Sequence, residues 1–196
     1  MKLHHIALAA IAAATFATQA QAAVYNGATS AGGNVATEYT SGSALSFDLD
    51  MLSKAPITLN FTLESADFSG DAMTFSALVR NLSGLSFDHV NVTLSGITFA
   101  APAGTITTDG FSAVSAFGSS ATQAWANFTP GVSSEFYIGA PLAKVGEVNW
   151  TLNLDGLQAG QQFSVTVAVP EPTTYGLVAA GLGAMGFMAR RRRKAA

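Results

Sequence analysis

Apolar residues recur at every second position through much of residues 57 to 169. Ile57, Leu59, Phe61 and Leu63 alternate with Thr58, Asn60 and Thr62, and a repeat of two places one set of side chains on a single face of a β-strand. The pattern returns in Met73, Phe75, Ala77 and Val79, in Val90, Val92 and Leu94, in Val148, Trp150, Leu152 and Leu154, and in Phe163, Val165, Val167 and Val169. Asn26-Gly27, Ser69-Gly70, Ser83-Gly84, Ser95-Gly96, Asp109-Gly110 and Asp155-Gly156 punctuate these runs. Such pairs mark turns between antiparallel neighbours. One-sided strands without an amphipathic helix must bury their apolar faces against each other. The expectation is an all-β, antiparallel β-sandwich of jelly-roll or immunoglobulin-like kind. Ala23 to Asn34, rich in Gly, Ala, Ser and Asn, reads as a loose start, and Gly118 to Gly131 reads as strand or short helix.

The two ends follow different rules. Met1 to His5 contains Lys2, Ile6 to Ala14 is apolar, and Thr18-Gln19-Ala20-Gln21-Ala22 offers a small-x-small site. These are the parts of a secretory signal peptide, here residues 1–22 with Ala20 and Ala22 at the cleavage site. At the other end, Pro170-Glu171-Pro172 precedes an apolar run from Tyr175 to Ala189, which is followed by Arg190, Arg191, Arg192, Arg193 and Lys194. An apolar stop followed by a cationic cluster holds that cluster on the cytoplasmic side and leaves the preceding chain outside. A helix of fifteen residues spans roughly 22 Å, short of the ~30 Å hydrocarbon core. A membrane helix at about 174–189 would therefore be a thin anchor, suited to temporary retention.

The tail resembles the PEP-CTERM sorting signal of Gram-negative bacteria. Pro170, Glu171 and Pro172 match its motif, the Tyr175 to Ala189 run its membrane segment, and Arg190 to Arg193 its retention cluster. The resemblance implies recognition by exosortase, a membrane-embedded Cys-dependent enzyme, with cleavage near the motif. It implies a route: out through the secretion translocase, a transient stay in the inner membrane, then the cell surface or extracellular matrix. It covers residues 170–196 and leaves the exported domain, residues 23–169, without an assigned activity.

Composition narrows that activity. The chain has no cysteine, so disulfides and thiol chemistry are excluded. Between Ala23 and Val169, Lys54, Arg80 and Lys144 stand against eleven carboxylates, a net charge of −8. Such a surface repels nucleic acid and anionic lipid, and acidic polysaccharide too unless a divalent cation bridges the two. His89 is the sole histidine of the domain, placed at the start of a strand where surface or packing roles outweigh catalysis. Neither a Gly-x-Ser-x-Gly elbow nor a His-Glu-x-x-His helix occurs. Gly181 to Gly186 fits a dinucleotide pattern but lies inside the apolar tail segment, with no strand before it.

Oxygen-rich clusters and aromatic residues remain as candidates. Asp48 and Asp50 share one strand face, while Asp67 and Asp71 flank Ser69 in a turn and are candidate Ca2+ ligands. Trp125, Phe128, Phe136 and Tyr137 are candidates for a sugar-stacking platform. Trp150 instead falls in register with core residues. Five Asn-x-Ser/Thr triplets, at Asn60, Asn81, Asn91, Asn127 and Asn149, arise naturally where Asn and Thr flank an inward apolar residue. The leading expectation is a non-enzymatic surface or matrix protein that needs no cofactor, whose association with exopolysaccharide is implied by the resemblance. The alternatives are a carbohydrate-binding module using Trp125, and a secreted hydrolase using carboxylate pairs about 5 to 10 Å apart.

Overall fold

The computed structural model describes residues 23–143 and 146–170. Its first strands are β1 (Val24–Ser30), β2 (Val35–Glu38), β3 (Ala44–Met51), β4 (Ile57–Thr62), β5 (Thr74–Asn81) and β6 (Phe87–Ser95). There follow β7 (Thr98–Phe99), β8 (Ile106–Thr108), β9 (Ala113–Ser119), β10 (Gln123–Val132), β11 (Glu135–Ile138), β12 (Trp150–Asn153) and β13 (Gln162–Ala168). A single 3-10 turn, Ser65–Phe68, is the helical element among the described residues. The chain there is all-β, and no helix in it is long and apolar enough to cross a membrane.

Two sheets face each other across one core. The first runs β1-β4-β13-β6-β10-β9 and is antiparallel throughout. The second runs β2-β3-β5-β11-β8, with β12 pairing β5 and β7 pairing β12. Aromatic rings bridge the gap: Phe47 of β3 meets Tyr25 of β1 and Phe61 of β4 with centroids 5.0 and 5.7 Å apart, and Phe128 of β10 meets Phe136 of β11 at 5.2 Å. Every second residue of β3 and β4 is buried, so the period-two pattern becomes the core face.

The structure departs from the sequence expectations in three places and settles a fourth, Gly118 to Gly131, as strand. β3 and β5 pair in parallel over eight residues, so the sheets are not purely antiparallel. A parallel pair needs a crossover, and β4 supplies it by crossing to the opposite sheet between them. Ala23 to Asn34 is not loose: β1 pairs with β4, and the buried Asn34 donates from Nδ2 to the Ala55 carbonyl at 2.7 Å and accepts from the Ser53 N–H at 2.9 Å. Backbone pairing overrides weak side-chain propensity there. Gly118 to Gly131 is strand on both sides of its turn. Val148 lies before β12 and is half exposed, its backbone bonded to Thr105, while Trp150 and Leu152 within the strand are buried as their alternation requires.

Candidate functional site

The sorting tail leaves from the middle of the first sheet. β13 lies between β4 and β6, and its apolar face is buried through Val169. Pro170 is the first exposed residue after it. Val169 therefore belongs to the domain, as the 23–169 boundary expects, and Pro170 follows it directly. Beside this exit lies a groove of about 680 Å3 lined by Leu52, Lys54, Pro56, Leu85, Ala168 and Pro170, among others. Glu171, Pro172 and Arg190 to Arg193, like the cleavage residues Ala20 and Ala22, lie outside the described residues, as does the expected membrane helix. Ala23, the expected first residue after cleavage, is buried against the core.

The carboxylates are engaged locally. Asp50 accepts from Arg80 Nε at 2.6 Å, and Asp48 accepts from its Nη2 at 3.4 Å. Both acids thus share one guanidinium on the outer face of the second sheet. Asp67 closes a capping box, its Oδ2 accepting from the Glu64 N–H at 2.7 Å. Partial burial pushes the Asp67 carboxyl up, the Glu64 N–H pulls it down, and the Glu64 charge adds to the rise. Asp71 is exposed, and no group of three or more His, Asp or Glu among the described residues could hold a metal ion.

A second acidic patch surrounds Tyr137. Its hydroxyl donates to Glu135, and Thr107 donates to Glu147 at 2.5 Å. The hydrogen bond to Glu135, with burial and the charges of Glu135, Asp109 and Glu147, pushes the Tyr137 phenol up to about 12.

The aromatic candidates separate. Phe128 and Phe136 are core residues, and Tyr137 is largely buried, so none of them offers a sugar platform. Trp125 does face outward on β10, between Asn91 of β6 and Gly118 of β9. A Cβ on Gly118 would fall 2.7 Å from three indole atoms, so the indole lies across the bare backbone of that glycine. His89 lies alongside, its ring 6.0 Å from the indole and 24° from parallel. His89 Nε2 is 3.0 Å from the Asn91 side-chain oxygen, and Nδ1 contacts that of Asn127. The histidine is thus held between two amides.

The sequons also divide. Asn60, Asn91 and Asn127 are half-buried on the outer face of the first sheet, while Asn81 is buried and donates to the carbonyls of Leu85 and Val132. Asn149 accepts from the Ala140 N–H at 2.8 Å.

The described domain is a two-sheet β-fold whose strand β13 ends two residues before Pro170-Glu171-Pro172 in the sequence. Residues 168–193 match the family model of the PEP-CTERM protein-sorting motif, which marks the chain for export and membrane-associated sorting by exosortase in Gram-negative bacteria. The match covers the tail. No curated protein and no solved structure matches the chain.

Proposed function

We propose that this protein is a non-enzymatic component of the cell surface or extracellular matrix, carried there by its sorting tail. The observation that carries the reading is the family-model match at residues 168–193, within which Pro170-Glu171-Pro172 follows the buried Val169 directly. The route begins with a signal peptide cut after Ala22 and passes through the secretion translocase. The segment at about 174–189 then holds the protein in the inner membrane, with Arg190 to Lys194 on the cytoplasmic side, until exosortase acts at Pro170-Glu171-Pro172.

Two of the catalytic arrangements weighed from the sequence gain no support from the described geometry. His89 sits between two side-chain amides instead of beside a hydroxyl, and serine-type catalysis needs a base in contact with its nucleophile. A hydrolase of the paired-carboxylate kind needs one acid free to donate and one free to attack. Asp48 and Asp50 are both bound to Arg80.

Processing tests the route. Replacing Pro170, Glu171 and Pro172 with alanine should leave full-length protein in the inner membrane, whereas deleting Arg190 to Lys194 should weaken retention. Mass spectrometry of the surface product should show a C-terminus between residues 169 and 173. A surface product that still carries Arg190 to Lys194 would leave a plain membrane anchor as the better account.

A further inference from the structure

The two outer faces of the sandwich differ in charge. Among all residues of the six strands in the first sheet, Asp88 alone is charged. The strands of the second sheet carry Glu38, Asp48, Asp50, Arg80 and Glu135. An excess of eleven carboxylates over three basic residues has thus been kept almost wholly off one sheet.

The face left uncharged is ordered. Thr29, Thr58, Thr166, Thr93 and Gln123 are register partners in turn across β1, β4, β13, β6 and β10. With strands 4.7–4.9 Å apart, this row of hydroxyls and amide extends roughly 19 Å in a straight line. A neighbouring row places Asn91, Trp125 and Gly118 side by side on β6, β10 and β9. Because Gly118 has no side chain, the indole can lie down over it, and the half-exposed ring has His89 alongside. The indole N–H of Trp125, on a half-exposed side chain, is not among the buried unsatisfied groups and is open to solvent or a ligand. By contrast, the N–H of the core tryptophan, Trp150, donates to the Thr105 carbonyl at 3.0 Å.

We propose that this face binds a neutral polysaccharide chain. A sugar ring lays its C–H face on an aromatic plane, and its hydroxyls exchange hydrogen bonds with Ser, Thr, Asn and Gln side chains, each of which can donate and accept. The chemistry is complementary in charge as well. The face offers no cation to a carboxylated or sulfated polymer, and the acidic remainder of the domain repels one. Packing of Trp125 over Gly118 also stabilises the edge of the sheet, but that does not account for six strands in which Asp88 alone is charged. The inference extends the matrix reading by naming the surface and the ligand class, and rests on it only for the ligand being extracellular.

The full-length protein purified in mild detergent tests the inference independently of sorting. It should be retained on at least one of insoluble cellulose, curdlan and chitin, and not on alginate beads. Trp125→Ala should weaken that retention at least tenfold, while Glu38→Gln on the opposite sheet should leave it unchanged. Trp150 is buried, so acrylamide-quenchable emission reports Trp125, and the bound polymer should protect it without any mutation. Retention on none of the three neutral polymers, or binding with neither Trp125 protection nor loss in Trp125→Ala, would overturn the assignment. If the purified protein binds but is missing from the matrix fraction of cells, the sorting proposal fails and the binding face stands.

Discussion

At the scale of single residues, environment decides what identical side chains do. Trp125 and Trp150 are both tryptophans on strands, yet one is buried beneath Gly104 and the other lies outside over Gly118. A Cβ on Gly104 would fall 2.6 Å from the Trp150 ring and 2.8 Å from its backbone nitrogen. Gly104→Ala should therefore destabilise the domain by about 1–3 kcal/mol, the usual cost of overpacking, read as a lower urea midpoint. Tyr137 makes a pH prediction. Its phenol is raised to about 12 by Glu135, burial and neighbouring charges, so the folded state holds that proton more tightly than the unfolded chain does. The resulting stability is fully present below about pH 10, the ordinary phenol value, and is lost as pH rises toward 12. Tyrosinate absorbance should show a late-ionising phenol that disappears in Tyr137→Phe. The Tyr25 phenol, raised by partial burial and by the Glu38 charge, would remain.

Single elements depend on buried contacts more than on charge pairs. Arg80 links the parallel strands through Asp48 and Asp50, but its side chain is 41% exposed. Solvent screening limits such a contact, so Arg80→Ala should cost only about 1 kcal/mol. Phe61 is fully buried and touches Tyr25, Phe47 and Phe163, the last at 4.8 Å and nearly parallel. Phe61→Ala should cost about 3–5 kcal/mol, a large share of a domain's typical 5–15 kcal/mol. Chemical denaturation of the two variants measures the contrast, and a larger loss in Arg80→Ala would reverse the ranking. The alternation that identified β4 and β13 was legible because both strands bury one face. β1 was not, since its contribution is backbone pairing along one edge of the sheet with few apolar side chains to show it.

For the molecule as a whole, the folded domain and the sorting tail meet at Val169 and Pro170. N-terminal sequencing of the exported protein should begin at Ala23, since Ala20 and Ala22 form the small-x-small cleavage site. A start at Met1 would defeat the signal-peptide reading. The sequence by itself determined the β class, the apolar face of most strands and the sorting motif, because each is written in local order: alternation, turn pairs, and a short contiguous signal. Tertiary structure alone decided the parallel β3–β5 pair, the grip of Asp48 and Asp50 on one arginine, and the alignment of threonines from separate strands into one row. The physical reason is that these depend on which strands become neighbours. Neighbours such as Thr58 and Thr166 meet only when long loops close and two sheets pack, and no short stretch of chain encodes that meeting.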